Sequence, residues 1–489
     1  MTTTTATMTS TFANAVNNQE ARTENQMKAR KSSANACVDL FYQAGALRGK
    51  DIIPTFIGAY VENADYALRI AQWLRDVRGG AGERQLFRDI LKYFEAVGDN
   101  EIIRKLVEKT PELGRFDDLL VFSAGSTAES IAFARIEKAL NNKNEKGLCS
   151  KWMPRQKGAA NRLRKYLKMS PKAYRKMLVE NTKVVEQKMC SNNWTDINFQ
   201  SVPSVAFSRY KKAFGRHVPN EFNEFLTKVE NGEASIHAGA IFPHDVIKNA
   251  LDLSNLGFVS NVNYKSNLTA DEQRAIIEQW KALPNYVENA SIIPLVDVSG
   301  SMTQGINNIP PILIAISLGL YLSEKNTGKF KDIFLTFSER PRLEFLKGNI
   351  IQRIAQMATS HWSMNTNLHA AFEKILSVAV SNSVPQTEMP KTLLILSDMQ
   401  FDYCVEYDDS AIEMIRRKYD SYGYTLPNVV FWNLNSYLSN VPVKFDEKGT
   451  ALISGYSPSI LKSILSDNMD ALTPENIMLE TIMNSRYDL

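Results

Sequence analysis

From about Ser33 to Leu283 the apolar positions recur with a helical period. Ala64, Ala67, Leu68, Ala71 and Leu74 make one apolar face. Leu86, Phe87, Ile90, Leu91 and Phe94 make a second, and Ile131, Ala132, Ile136, Ala139 and Leu140 a third. Breaks recur at Gly79–Gly80, Pro111, Gly125, Gly158, Pro171, Pro203, Pro219 and Pro243, each suited to starting or ending a helix. The pattern predicts about a dozen short helices. Helices this short cannot bury their stripes alone, so they are expected to stack as a solenoid, although no strict repeat is visible.

After Pro284 the texture changes. Ser291–Val298 is a strand-like apolar run, and 332–337, 342–346, 392–396 and 429–434 are further strands, with a weaker one at 452–454. Helical stretches at 309–322, 368–380, 410–422 and 459–465 alternate with them. Continuous apolar strands alternating with helices indicate a parallel sheet covered on both faces. The expected fold is therefore multidomain α + α/β: a flexible Thr- and Asn-rich tail over 1–27, an all-α helical-repeat domain over 28–285, and a doubly wound, Rossmann-like α/β domain over 286–489.

Composition bounds the class. A chain of 489 residues, 44% hydrophobic and 22% charged, is long enough for several domains and too apolar for wholesale disorder. The four cysteines have no paired spacing, which argues against a disulfide framework or zinc module and for a reducing compartment. No signal-like segment is visible, and the longest apolar stretch, 310–322, is shorter than the roughly 20 residues of a membrane span. The expectation is a cytoplasmic protein with no membrane partner.

The net charge of +4 hides an asymmetry. Residues 1–285 carry +10 and residues 286–489 carry −6, and the window 143–188 alone holds 14 basic and 3 acidic residues. The candidate polyanion surface is Lys151, Arg155, Lys157, Arg162, Arg164, Lys165, Lys168, Lys172, Arg175 and Lys176, with Trp152, Tyr166 and Tyr174 interleaved. Lysine and arginine neutralise phosphates, and aromatic faces can stack unpaired bases. Arg209, Lys211, Lys212, Arg216 and His217 would extend the patch. The competing reading is a solvated helix face whose aromatics lie in the core.

The second candidate is Asp297-Val298-Ser299-Gly300-Ser301, at the carboxyl end of the first strand of the α/β domain. Ligands bind beyond the carboxyl ends of strands in such sheets. One carboxylate and two hydroxyls on a tight turn are hard oxygen donors, suited to Mg2+ or Mn2+ rather than zinc. Thr366, before a helix, and Asp398, at the end of a strand, complete the set Asp297, Ser299, Ser301, Thr366 and Asp398. An ordinary turn or helix cap is the alternative.

LVDVSGSM, MNTNLHAAF and LSDMQF resemble the three motifs of the metal-ion-dependent adhesion site (MIDAS) of von Willebrand factor A domains. The resemblance covers roughly residues 288–466. It implies that those five residues hold the ion and that a partner protein's carboxylate completes its shell. RDVRGGAGERQLF (75–87) and GRFDDLL (114–120) resemble the TROVE-type helical module, a HEAT-like stack that occurs with a C-terminal A domain in Ro ribonucleoproteins. SVPSVAFSRYKKAF (201–214) and FPHDV (242–246) resemble more closely an uncharacterised plant, fungal and viral branch. The Ro likeness implies binding of small non-coding or misfolded RNA, though this helical region is distinctly shorter than theirs.

The other conspicuous residues read as structural. Gly79, Gly80 and Gly82 lack the GKS or GKT of a phosphate loop, and Arg115, Asp117 and Asp118 suit ion pairs between helices. The five histidines show no metal spacing, and Ser299 and Ser301 lack a hydrolase elbow. No catalytic set emerges, so a non-enzymatic RNA-binding ribonucleoprotein component is expected. A protein–protein adaptor that binds no RNA is the alternative.

Overall fold

The computed structural model describes residues 20–23, 27–252, 263–264, 268–303, 309–338, 340–360, 367–401, 411–435, 440–465 and 472–489. Among the described residues from Ala36 to Lys281 the chain is helical apart from its connections and one two-stranded pair, β3 (Leu251–Asp252) with β4 (Asn263–Tyr264). Polar residues start many of the helices: the side chains of Asn35, Asn63, Asp99, Ser126 and Ser170 each accept a backbone N–H of the first turn. Successive helices from Ala36 to Trp152 pack on one another in chain order. Pro111 lies inside the helix Asn100–Leu113, two residues from its end, rather than breaking it.

The C-terminal sheet has the order β10-β9-β8-β5-β6-β7, built from β5 (Ile292–Val296), β6 (Ile333–Thr336), β7 (Leu343–Phe345), β8 (Thr392–Ser397), β9 (Asn428–Asn433) and β10 (Thr450–Ser454). Every pairing is parallel except β6 with β7. The expected all-parallel sheet is thus corrected at one edge. The connection between Thr336 and Leu343 is too short for a crossover, which needs a dozen or more residues, so the chain turns back as a hairpin. The helix Pro311–Lys325 is buried over most of its surface, between the sheet and the helices Pro243–Ile247 and Ile350–Thr359. Gly319 lets it approach β5: a Cβ there would lie 2.6 Å from Val296 Cγ2.

The helices and the sheet are not separate bodies. Buried apolar residues from Met27 to Tyr487 form one continuous core that spans both. The helix Ala36–Ala44 lies on β10, and the backbones meet so closely that a Cβ on Gly45 would be 2.5 Å from Gly455 N. There the Gly45 N–H donates to Ser454 Oγ (2.9 Å), and Ser454 Oγ donates to Phe41 O (2.9 Å). The guanidinium of Arg48 pairs with Glu83 and lies 3.7 Å over the Tyr456 ring. At the other end of the chain, Arg486 Nε reaches the buried Asp76 carboxylate at 2.5 Å, and Gln72 Nε2 donates to Tyr487 O (2.7 Å). A second, smaller core is separate: Phe199, Phe207, Phe214, Phe222 and Phe225 cluster with Ile197, Val202 and Ala275.

The tail expected over 1–27 includes residues that have a defined place. β1 (Glu20–Arg22) pairs antiparallel with β2 (Lys28–Arg30), Arg30 bridges to Val441, and Met27 is buried. These residues reach structure through contacts made about 400 positions away, which local composition does not report. Among the described residues no helix is long and apolar enough to cross a membrane.

The shared core predicts a single cooperative unfolding transition for helices and sheet, measured by circular dichroism and tryptophan fluorescence together. Burial pushes the Asp76 carboxyl up, but hydrogen bonds from Arg486 and the Arg78 amide, with the Arg486 charge, more than offset it and hold it below the ordinary value. Its contribution is therefore present above about pH 4 and lost as the pH falls through the lowered value. Arg486→Leu removes the ion-pair partner while the Arg78 amide and the Tyr487 hydroxyl remain, and is expected to destabilise by about 1–3 kcal/mol at pH 7. Denaturant titrations should show the gap to wild type narrowing below about pH 4.

Candidate functional site

Adjacent strands deliver the two carboxylates. Val296 of β5 is in register with Leu396 of β8, so Asp297 and Ser397–Asp398 leave the sheet side by side. Asp297 N donates to Leu396 O at 3.0 Å, extending the ladder by one bond. Ser397 Oγ donates to Asp297 Oδ2 at 2.5 Å, and the Ser299 amide donates to Asp297 Oδ1 at 2.9 Å. The hydroxyls of Ser299 and Ser301 are 3.1 Å apart. Asp398 takes the Gln400 amide on Oδ1 at 3.3 Å, while its Oδ2 is buried with no hydrogen-bond partner. Met399, next in the chain, has φ +65°, a left-handed conformation that turns the backbone sharply after the carboxylate.

Asp297 is wholly buried and Asp398 is 1% exposed. Burial raises the Asp398 carboxyl, the nearby Asp297 charge raises it further, and Ser301 and the Gln400 amide offset only part, leaving it at about 7. Two buried carboxylates, one with an oxygen lacking a hydrogen-bond partner, and two neighbouring hydroxyls are hard oxygen donors, a set whose chemistry fits Mg2+ or Mn2+ with water completing the shell. Among the described residues no group of three or more His, Cys, Asp or Glu could hold a metal, which leaves this mixed carboxylate–hydroxyl set as the candidate. Thr366, expected to join it, lies outside the described residues. Ser397, which fixes the Asp297 carboxylate, was not singled out by sequence reasoning; its place immediately before Asp398 was the available signal. Thr23 Oγ1 also donates to Phe401 O at 2.6 Å, tying the N-terminal segment to the loop that carries Asp398.

The cationic candidates lie on the helices Lys146–Trp152, Gly158–Tyr166 and Pro171–Asn181 and their connections. Arg155, Lys157, Lys165, Lys168, Lys172 and Arg175 are exposed, and none pairs with a carboxylate among the described residues. The others are engaged. Arg162 pairs with Glu129 at 2.6 Å, Lys176 reaches Glu180 at 3.7 Å, Arg164 donates to Met169 O at 3.1 Å, and Lys151 lies 5.3 Å over the Trp152 ring. The preceding helices differ in part: Lys105, Lys109, Arg135 and Lys138 face Glu101, Glu108, Glu112 or Glu145, while Arg84, Lys92 and Arg104 are exposed without a carboxylate ion pair among the described residues.

The interleaved aromatics are mostly unavailable, a correction to the stacking expectation. Tyr174 is buried and donates to Pro154 O at 3.1 Å, and Arg115 covers the Trp152 ring at 3.4 Å. Tyr166 remains partly exposed, edge-on to Phe133. Of the proposed extension, Arg209, Lys212, Arg216 and His217 are exposed, whereas Lys211 is buried and donates to Ser208 O at 3.0 Å. Burial lowers the Lys211 ammonium to about 8. His217 stacks flat on Trp194, with centroids 4.1 Å apart. The helical period placed these residues near one another but did not say which side of each helix the neighbouring core would cover.

The structural readings hold elsewhere. Asp118, wholly buried, is held by Arg75 at 2.7 Å and Arg88 at 2.8 Å, while Arg115 pairs with Asp117 at 2.6 Å. Gly80 lies in a turn where a Cβ would meet Trp73 O at 1.9 Å.

Two family models match the chain: "Domain of unknown function (DUF2828)" over residues 122–292 and "Domain of unknown function (DUF7788)" over residues 291–485. They meet where β5 begins. "Uncharacterized protein L728" of Acanthamoeba polyphaga mimivirus is 27% identical over 518 residues, covering 94% of this chain and 86% of that protein. Among solved structures, the Ro (RSR) protein of Deinococcus radiodurans, 15% identical, aligns over 88% of this chain and 90% of its own with a TM-score of 0.39.

If the orphaned Asp398 oxygen takes a cation, Mn2+ at a hundred times its Kd stabilises the fold by about 2.7 kcal/mol, read as a shift in thermal unfolding. Asp398→Asn is expected to abolish that shift while raising stability without metal, since it removes a buried charge beside Asp297. The sign with pH follows. The Asp398 carboxyl titrates near 4 when unfolded and near 7 when folded, so metal-free stability falls as the pH rises across that interval.

Proposed function

We propose that this protein is a non-enzymatic RNA-binding component, in the manner of a Ro ribonucleoprotein, with a second, cation-dependent docking site. Its helical surface holds RNA phosphates, and its sheet end holds Mg2+ or Mn2+ in the manner of a von Willebrand factor A domain. The observation that carries the RNA reading is the dense cationic face from Arg155 to Arg175, on a stack whose earlier helices pair several of their cations, among them Lys105, Arg135 and Lys138. Exposed cations without carboxylate partners leave their charge available to a polyanion. With the aromatics largely covered, affinity rests on phosphate contacts rather than on stacking.

At the sheet end, Asp297, Ser299, Ser301 and Asp398 would hold the ion, with Thr366 as a further donor. A bound divalent ion supplies a Lewis acid that a partner's carboxylate can ligate. Ser397 and the Ser299 amide orient Asp297 for this. That pair of buried carboxylates favours a second reading, a protein–protein adaptor in which the cationic face meets an acidic protein.

Salt dependence separates the readings. A single-stranded RNA neutralised at six sites should lose affinity with a log–log slope of roughly −4 against salt. Reversing the charges of Lys165, Lys168, Lys172 and Arg175 should flatten that slope by about 3. An adaptor would show little RNA affinity at 150 mM salt. Asp297→Ala should abolish cation-dependent partner docking and leave the RNA slope unchanged; equal loss of both would contradict separate sites.

A further inference from the structure

A cleft opens where the continuous core of the molecule gives way to the separate phenylalanine cluster. Residues 183–188 form one wall and 197–203 the other, and the enclosed space is about 390 Å³. Pockets that take small ligands begin at about 300 Å³, and they favour such seams between packed units. Val184, Val185, Ile197, Val202 and Pro203 line the cleft with aliphatic surface, and Ile197 and Val202 belong to the phenylalanine cluster. Lys151, Lys183 and Lys188 belong to its lining against one carboxylate, Glu186, which accepts a hydrogen bond from Tyr210 at 3.2 Å, and the Lys188 ammonium donates to Asp196 O. Gln187 and Asn198 add side-chain amides, and the Asn198 oxygen already accepts the Gln200 amide at 3.1 Å, leaving its NH2 as donor.

An aliphatic slot, amide donors and flanking lysines are the three things an unpaired nucleotide needs: a surface for its flat base, partners for the base edge, and counter-charge for its phosphate. Lys151 belongs both to this lining and to the helix that begins the cationic face, so a strand lying on that face could continue into the cleft. Resting on the RNA-binding reading above, we infer that the cleft takes one unstacked nucleotide of a single-stranded RNA, and that it gives the protein a preference for single strands. The cationic face alone recognises phosphates and would not distinguish a single strand from a duplex by a base. A base inserted between aliphatic walls is available only where it is unpaired.

Fluorescence anisotropy with a labelled twelve-residue oligouridylate and a labelled twelve-base-pair RNA duplex tests this in the full-length protein. Ser201→Trp and Val184→Trp fill the cleft from its two walls, and a Lys165→Glu/Lys172→Glu variant disturbs only the face. The expected result is about tenfold tighter binding of the single strand, a preference that disappears in each tryptophan variant. In the face variant both oligonucleotides should weaken together and the preference should survive. Thermal melts show whether a tryptophan variant is folded, and either one that folds suffices. Single-strand preference that persists in a folded cleft variant overturns the cleft and leaves the RNA reading standing. Failure of wild type to bind either oligonucleotide overturns both. Binding of a phosphoserine peptide in the cleft with no single-strand preference would assign it to a protein ligand and also overturn the proposal.

Discussion

Everything else in the molecule depends on the close approach of two backbones, where the helix ending at Ala44 meets the strand ending at Ser454. Gly45 allows it, because a Cβ there would lie 2.5 Å from Gly455 N, and Gly455 turns the chain at φ +98°, a conformation that favours glycine. With that contact made, Ser454 links the two through its hydroxyl, Arg48 settles over Tyr456, and the last residues of the chain reach back to Asp76 and Gln72. The helical stack and the sheet consequently share one core. Their relation is set by packing and buried ion pairs, not by a linker. The same arrangement brings Thr23 onto the loop after Asp398, so the first described residues support the sheet end where the candidate ion site lies.

The two candidate surfaces differ in how much physics stands behind them. Cations exposed to water cost little to leave unpaired, and the face from Arg155 to Arg175 persuades chiefly by the density of its unpaired cations. A buried carboxylate oxygen without a partner is another matter. Burial and the neighbouring Asp297 both disfavour its charge, so the carboxyl is relieved by a proton or, on the proposed reading, by a cation. The ion reading therefore rests on energetics, whereas the RNA reading rests on charge distribution.

Much of this was legible in the sequence, and the reasons are particular. Strands such as Thr392–Ser397 are buried on both faces and announce themselves as continuous apolar runs, and Asp297 and Asp398 stand out because each ends one. What stayed hidden was decided by distant neighbours. The antiparallel β7 followed from a short connection, not from its composition. Tyr174 and Lys211 looked like surface residues in a basic run, yet packing covers both. The pair β1–β2 depends on Val441, and the cleft of Lys183 and Lys188 exists because two cores meet there, which no local pattern records.

The central claim is that RNA lies on the bare cationic helices. Ultraviolet crosslinking of RNA to the intact protein, followed by mass spectrometry of the crosslinked peptides, tests it most directly. The account predicts crosslinks concentrated between Lys151 and Pro203, on the cationic face and the cleft beside it. Absence of crosslinked RNA, or crosslinks confined to the sheet half, would contradict it.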